Sequence, residues 1–266
     1  MTVLDTTTDW HTHTSRTDGA DPLEAMVRAA ADAGLERLVV TDHVRADTSW
    51  VPEYVADVAR VREGSPVDLV CGVEAKILDV AGRVDVPGDL RGVDVLVVSD
   101  HQVPGCTGPM TPSRAAELVA ARRIMPQDVV DSLVLATCAA VGVAAERAEQ
   151  VVVGHLFSVL PKAGVGLELV RDDHLRRLAG ACRRDGAAVE VNEKWRTPTV
   201  EISRRLAELG VRLVASSDAH SASAVGAWRH VTAAAGALPV PPVASAAAHR
   251  PVGSGTRPAA VSAHVS

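Results

Sequence analysis

The sequence predicts an α/β domain built on a parallel sheet, and three observations carry that reading. Short, continuously apolar runs recur along the chain, which marks strands covered on both faces. Between them lie segments with apolar residues at helical spacing. The 266 residues suit one domain with a sizeable core, either an α/β barrel or a doubly wound sheet.

Taken in order, the first strand is the N-terminal segment ending at His11. After His13, Asp21-Pro22-Leu23-Glu24 combines an Asp N-cap, a Pro at the first helical position and a Glu three residues past the cap. Leu23, Met26, Val27 and Ala30 then repeat at i, i+3, i+4 and i+7, and Gly34 ends the helix. Leu38-Val39-Val40 reads as the second strand. A helix around Val51 to Glu63 precedes a third strand, Leu69 to Ile77, and a fourth, Val93 to Val98. The fifth, sixth and seventh strands are Val151 to Val153, Ala187 to Val191 and Val211 to Ala215. Among the intervening helices, Asp172 to Arg184 gathers Leu175, Leu178, Ala179 and Cys182 on one side, and another opens at Thr197-Pro198 and closes near Gly210.

Two regions break this alternation. Residues 102–150 are much longer than an ordinary connection and hold a Gly/Pro-rich stretch followed by two helices separated at Pro126, which we expect to form a flap beside the site. Residues 238–266 are rich in Pro, Ala, Ser and Gly without a periodic stripe and are expected to be a disordered tail in which His249 and His264 are inert. Residues 1–237 therefore form the expected functional domain.

Composition narrows the function. With 47% hydrophobic and only 2% aromatic residues, Ala, Val and Leu must fill the core. A net charge of -6 with scattered Arg residues leaves no basic footprint for a nucleic-acid duplex, so a small substrate is favoured. Cys71, Cys106, Cys138 and Cys182 lie far apart with no Cys-x-x-Cys, which suits reduced, partly buried thiols in a cytoplasmic protein rather than a zinc knuckle. The first ten residues lack the pattern of an export signal, and the longest apolar run, Leu133 to Ala145, is too short to span a bilayer.

The candidate functional residues fall at the carboxyl ends of the strands. His11 and His13 close the first, His43 the second, Glu74 lies late in the third, and His101 and His155 follow the fourth and fifth. Asn192 ends the sixth, and Asp218 and His220 follow the seventh. In barrels and open parallel sheets this face gathers reactive groups, so scattered positions become one cluster. Side chains at i and i+2 on an extended segment point the same way, which lets His11 with His13, and Asp218 with His220, face one cavity. His174 and His230 sit in helical segments and read as structural. Imidazole and carboxylate ligands without thiolate favour zinc, manganese or iron. Two or three such ions would outweigh the nearby carboxylates Asp18, Glu74 and Asp218 and make the pocket a receptor for an anion, phosphate above all.

These segments resemble the PHP family, named for polymerase and histidinol phosphatase. The resemblance runs from about Thr8 to Val231 and rests on Asp9-Trp-His-Thr-His-Thr14, Arg16-Thr-Asp-Gly19, Val40-Thr-Asp-His43, Cys71-Gly-Val-Glu74, Val98-Ser-Asp-His101, Val153-Gly-His155 and Ser216-Ser-Asp-Ala-His220, in the family's order. It implies a distorted seven-stranded (β/α)7 TIM-like barrel with a trinuclear centre at the strand C-termini. Carried over by position, one metal is held by His11, His13, Glu74 and Asp218 and a second by Asp18, His43 and His220. Glu74 bridges to a third, completed by His101 and His155. Many members place a histidine near Asp18. The segment after the sixth strand resembles one that lines the family's pocket, and Arg196 or Lys194, with Arg16, are candidate phosphate-binding cations.

The expected activity is hydrolysis of a small phosphomonoester, such as histidinol phosphate, by a metal-bridging hydroxide, with Glu74, Asp218 and His220 at the reaction centre. The same metals serve phosphodiester cleavage of a nucleotide or nucleic-acid end, which is the first alternative. An amidohydrolase and a non-catalytic metal-binding domain are the others.

Overall fold

The computed structural model describes residues 4–105 and 108–238. The expected tail from residue 239 onward, with His249 and His264, lies outside the described residues, as does Cys106. Seven strands run parallel, each hydrogen-bonded to the next in chain order: β1 (Thr8–Thr12), β2 (Arg37–His43), β3 (Asp68–Lys76), β4 (Val95–Ser99), β5 (Gln150–Gly154), β6 (Ala188–Asn192) and β7 (Arg212–Ser216). The helices are α1 (Leu23–Asp32), α2 (Val51–Arg62), α3 (Pro112–Ala120), α4 (Pro126–Ala145), α5 (Val159–Lys162), α6 (Asp172–Asp185), α7 (Val200–Glu208) and α8 (His230–Ala237). This is the expected α/β barrel, distorted and nearly closed.

Closure takes place at a seam. Between β1 and β7 the described residues form no continuous ladder, only a bridge from Thr12 to Ala219, where His13 N donates to Ala219 O at 2.8 Å. The buried Asp9 carboxylate reinforces the join by accepting from Ser217 N at 2.9 Å and from Gly226 N at 3.3 Å.

The apolar strand runs divide into two packed layers, as strands buried on both faces must. Trp10, Val39, Val97, Val152, Ala188 and Val214 belong to a cluster that fills the barrel interior, while the opposite strand faces pack on the helices. Trp10 and its neighbour His11 both serve the interior side, since His11 meets Glu74 and Glu190. Strict alternation would send one of them outward, and the register shift between Asp9 and Thr12 is the bulge that re-aims them. Above the apolar plug the interior narrows. A Cβ on Gly154 would lie 2.1 Å from Ser99 Oγ and 2.8 Å from Val97 Cγ1, so glycine is required immediately before His155.

Several boundaries differ from those the sequence suggests. Helix α1 has Pro22 at its N-cap, and Asp21 instead accepts from Ala222 N at 2.8 Å, tying the segment after β7 to the start of α1. Helix α7 starts after the Thr197-Pro198 pair, capped by Thr199, whose hydroxyl accepts from Ile202 N at 3.3 Å. In the 102–150 stretch, α4 is 20 residues long, and by length and composition it is apolar enough to cross a membrane. Within the fold it buries Val130, Leu133, Ala140 and Val141, and it packs on β4, β5 and α6. Most of this stretch therefore serves as the crossover between β4 and β5, a role that its all-round apolar character permits.

Candidate metal centre

The carboxyl ends of the strands deliver eight imidazole and carboxylate side chains to one point, and Glu74 of β3 stands at its middle. Its Oε2 lies 2.9 Å from His43 Nδ1, 3.4 Å from His11 Nε2 and 3.5 Å from His13 Nε2. Its Oε1 lies 3.1 Å from His155 Nε2 and 3.2 Å from His101 Nε2. Five imidazoles from four strand ends thus surround one buried carboxylate. Burial alone would push the Glu74 carboxyl up, but His101 and His11 beside it hold it well below the usual carboxylate range.

The two ends of the chain meet on the other side. His11 Nε2 and His13 Nε2 are 3.0 Å apart, as their i, i+2 spacing allows, and Asp218 Oδ1 is 3.6 Å from His13 Nε2 and 3.3 Å from His220 Nδ1. Asp18, on the loop after β1, brings Oδ2 to 3.3 Å from both His43 Nε2 and His220 Nε2. All nine candidate ligands therefore converge. Three sets have ligand atoms mutually close enough to share a cation: His13, Asp18, His43 and His220; His11, His13 and Asp218; and His43, Glu74 and His101. His43 and Glu74 thus share a set, which the positional carry-over had kept apart.

The donor set suits divalent cations. Two imidazole nitrogens 3.0 Å apart cannot both carry protons, and the pair responds in opposite directions. Despite burial, Glu190 and Glu74 raise His11 well above its ordinary value, while burial and the His11 charge depress His13. Glu74 Oε2, His13 Nδ1 and His101 Nδ1 are buried without an aligned hydrogen bond. Unpartnered buried polar atoms are costly, and a shared cation satisfies Glu74 Oε2 while it neutralises the crowding.

A carboxylate layer beneath these groups orients them, and the sequence reading missed it. Glu190 Oε2 accepts from His11 Nδ1 at 2.9 Å, and Glu190 also accepts from Asn192 Nδ2 at 2.7 Å and from the His155 backbone N–H. Asp100 Oδ1 accepts from His155 Nδ1 at 3.1 Å and from Ser158 Oγ at 2.9 Å. Burial opposes a charge on His155, yet Asp100 and Glu74 push it up to about 10. Such partners fix which ring nitrogen faces the centre. Their signal was a carboxylate inside an apolar strand run at Glu190 and one beside a strand-end histidine at Asp100. His155 and Asp218 also hold positive φ values, 23° and 51°, a strained backbone that tertiary contacts must enforce.

The three candidate phosphate cations separate. Lys194 reaches the site, with Nζ 3.3 Å from Asp218 Oδ1 and 3.0 Å from His220 Nδ1. Arg16 turns to Asp57 at 2.7 Å and Glu53 at 3.5 Å and lines a different cavity. Arg196 is exposed in a turn at φ 55° and does not line the central cavity. That cavity, about 650 Å³, opens directly over His43, Glu74, His101, Asp218 and His220. His174 and His230 are structural: His174 Nδ1 accepts from Arg171 N at the start of α6, and His230 Nε2 donates to Pro198 O.

The sequence pattern of the PHP domain matches residues 9–194, which contain seven of the nine clustered residues. The chain belongs to the PHP family. A probable phosphatase of Acetivibrio thermocellus is 26% identical to this PHP chain over 236 residues, covering 84% of it and 83% of the relative. Among solved structures, the histidinol phosphate phosphatase of Lactococcus lactis, crystallised with zinc, L-histidinol and phosphate, superposes with a TM-score of 0.59 at 16% identity. The superposition covers 87% of this PHP chain and 92% of that one, and at such identity it speaks for the shared barrel.

Proposed function

We propose that this PHP-family protein is a metal-dependent phosphomonoesterase acting on a small phosphorylated substrate. The observation that carries the reading is Glu74, a buried carboxylate ringed by His11, His13, His43, His101 and His155 within 3.5 Å. A structural role alone gives no reason to concentrate so many ionisable groups at the floor of an open cavity. The probable-phosphatase relative supports the same class. Histidinol phosphate is one candidate substrate, prompted by the ligands of the Lactococcus structure.

In this reading two or three divalent ions, zinc, manganese or iron, are held by His11, His13, Asp18, His43, Glu74, His101, His155, Asp218 and His220. Such ions supply Lewis acidity toward phosphoryl oxygens and lower the pKa of bound water toward neutrality. The chain's own groups do the rest. Glu190 and Asp100 hold His11 and His155 with Nε2 turned inward. Lys194, at the lip beside Asp218 and His220, offers an ammonium to the phosphoryl group. His220, 26% exposed and within 3.3 Å of Asp18 and Asp218, stands where the cavity meets the cluster.

The test is metal analysis of the purified protein paired with a phosphatase screen before and after chelation. We expect at least two bound ions per chain and turnover that chelation removes and metal restores. Fewer than two ions, or chelator-insensitive turnover, overturns the proposal.

A further inference from the structure

We propose that Arg45 and Lys76 form a second anion site above the metal centre, which selects phosphomonoesters carrying a further anionic group. This inference rests on the phosphomonoesterase reading and specifies its substrate class.

The argument begins with strand register. His43 of β2 pairs with Glu74 of β3, and their side chains meet at 2.9 Å in the centre. The pairing extends one step further, where Val44 N donates to Glu74 O at 2.9 Å. Two residues beyond His43 and Glu74 stand Arg45 and Lys76. Lys76 ends β3 two residues after Glu74, so alternation turns its side chain to the same side, and Arg45 follows two residues past the end of β2. A strand rises about 3.3 Å per residue, which places the upper tier about 7 Å further out. Both side chains line the same cavity as His43, Glu74 and His101.

One residue braces the two segments. Asp85 Oδ1 accepts from Ala46 N at 2.8 Å, while Asp85 N donates to Lys76 O at 2.9 Å. The tier is thus held by the backbone on both sides. Trp50, packed edge-on to Tyr54 at 5.5 Å between centroids, forms the neighbouring wall.

Charge completes the case. The carboxylates lining the cavity, Asp18, Glu74 and Asp218, all belong to the metal cluster. Lys194, beside Asp218, is assigned to the phosphoryl group at the floor, and Arg16 is paired with Asp57. Among the described residues, neither Arg45 nor Lys76 has a carboxylate oxygen within 4.0 Å. Two cations free of carboxylates, facing one cavity about 7 Å above a phosphate-binding floor, match a short carbon skeleton with an anion at each end. A cavity of about 650 Å³ has room for that skeleton as well as the phosphoryl group. Histidinol phosphate, which carries an ammonium and an imidazole but no second anion, is disfavoured by this tier.

The experiment uses two non-hydrolysable ligands that differ only by a terminal carboxylate, 4-phosphonobutyrate and butylphosphonate, titrated calorimetrically into metal-loaded protein. Steady-state kcat/KM for 3-phosphoglycerate and glycerol 3-phosphate gives the parallel readout. We expect the carboxylate-bearing member of each pair to be favoured about tenfold or more, a typical worth for one charge-assisted contact. Lys76→Met and Arg45→Met should each bring that ratio toward one, chiefly through KM, and Lys76→Arg should restore it. Equal affinity for the two phosphonates in the wild type overturns the second site while leaving the phosphatase reading intact. So does an equal loss for both ligands in folded variants. If neither phosphonate binds, the phosphatase reading falls and the second site with it.

Discussion

His11 Nδ1 donates to Glu190 Oε2 at 2.9 Å, and this bond places the other ring nitrogen of His11 against His13 and Glu74. Both partners are fully buried, so the bond fixes the tautomer without competition from water. Burial works against the Glu190 charge, but His11 holds its carboxyl below the usual range. We predict that Glu190→Gln, which keeps the shape and removes the charge, weakens metal affinity about 10- to 100-fold, the usual cost of an outer partner. Competition with a graded series of chelators measures this, and wild-type affinity in the variant would contradict the assignment.

Removing a direct ligand should cost more than removing its support. His13→Ala and His220→Ala are each expected to lower kcat/KM by more than about a hundredfold. Far-UV circular dichroism and the unfolding midpoint should stay near those of the wild type compared under metal-free conditions. Near-normal turnover in either variant speaks against the site.

The seam makes a stability prediction. Asp9→Ala leaves the buried N–H of Ser217 and the partly buried N–H of Gly226 without their acceptor. An orphaned buried donor costs about 1–3 kcal/mol, so we expect a loss of about 2–4 kcal/mol in urea unfolding of the metal-free protein. A loss below about 0.5 kcal/mol would show that the join is held by other contacts.

The thiols give a pH prediction. Burial pushes Cys71 and Cys182 up to about 12 and the half-buried Cys138 up to about 11. In the unfolded chain they ionise near their ordinary value of about 9. Because the folded values are raised, their contribution to stability is complete below about pH 9. It is lost as the pH rises through 11 to 12. In a Cys106→Ser background at pH 8, a thiol reagent should label Cys71 and Cys182 at the rate of global unfolding, and Cys138 sooner. Rapid labelling of Cys71 in the native protein would refute the burial account.

Much of the site could be read from sequence because a strand end is a fixed address. His11, His43, Glu74, His101, His155 and Asp218 follow apolar runs, and parallel strands bring those ends together whatever the helices between them do. Even Asp18, on a loop, arrives midway between His43 and His220. Long side chains were less legible. Nothing near Arg16 in sequence announces Asp57, which lies on α2 and takes up its charge. Helix α4 misled for another reason, since an apolar run without a dominant face is equally compatible with a flap and with a buried crossover. Glu190 was legible in principle: a charge within Ala187 to Val191 must be paired where it is buried, and here it is paired with His11, one of the proposed ligands.

The seam between β1 and β7 gives the metal centre a mechanical meaning. His11 and His13 stand on one lip and Asp218 and His220 on the other, and the Asp9–Ser217 contact across it joins residues 208 positions apart. In the proposed centre, ions gripping both lips act as a clasp on a ring that the backbone leaves unfastened. Loading the proposed site and fastening the barrel would then be one event, and the protein's resistance to heat and proteolysis is expected to follow the supply of metal as closely as its turnover.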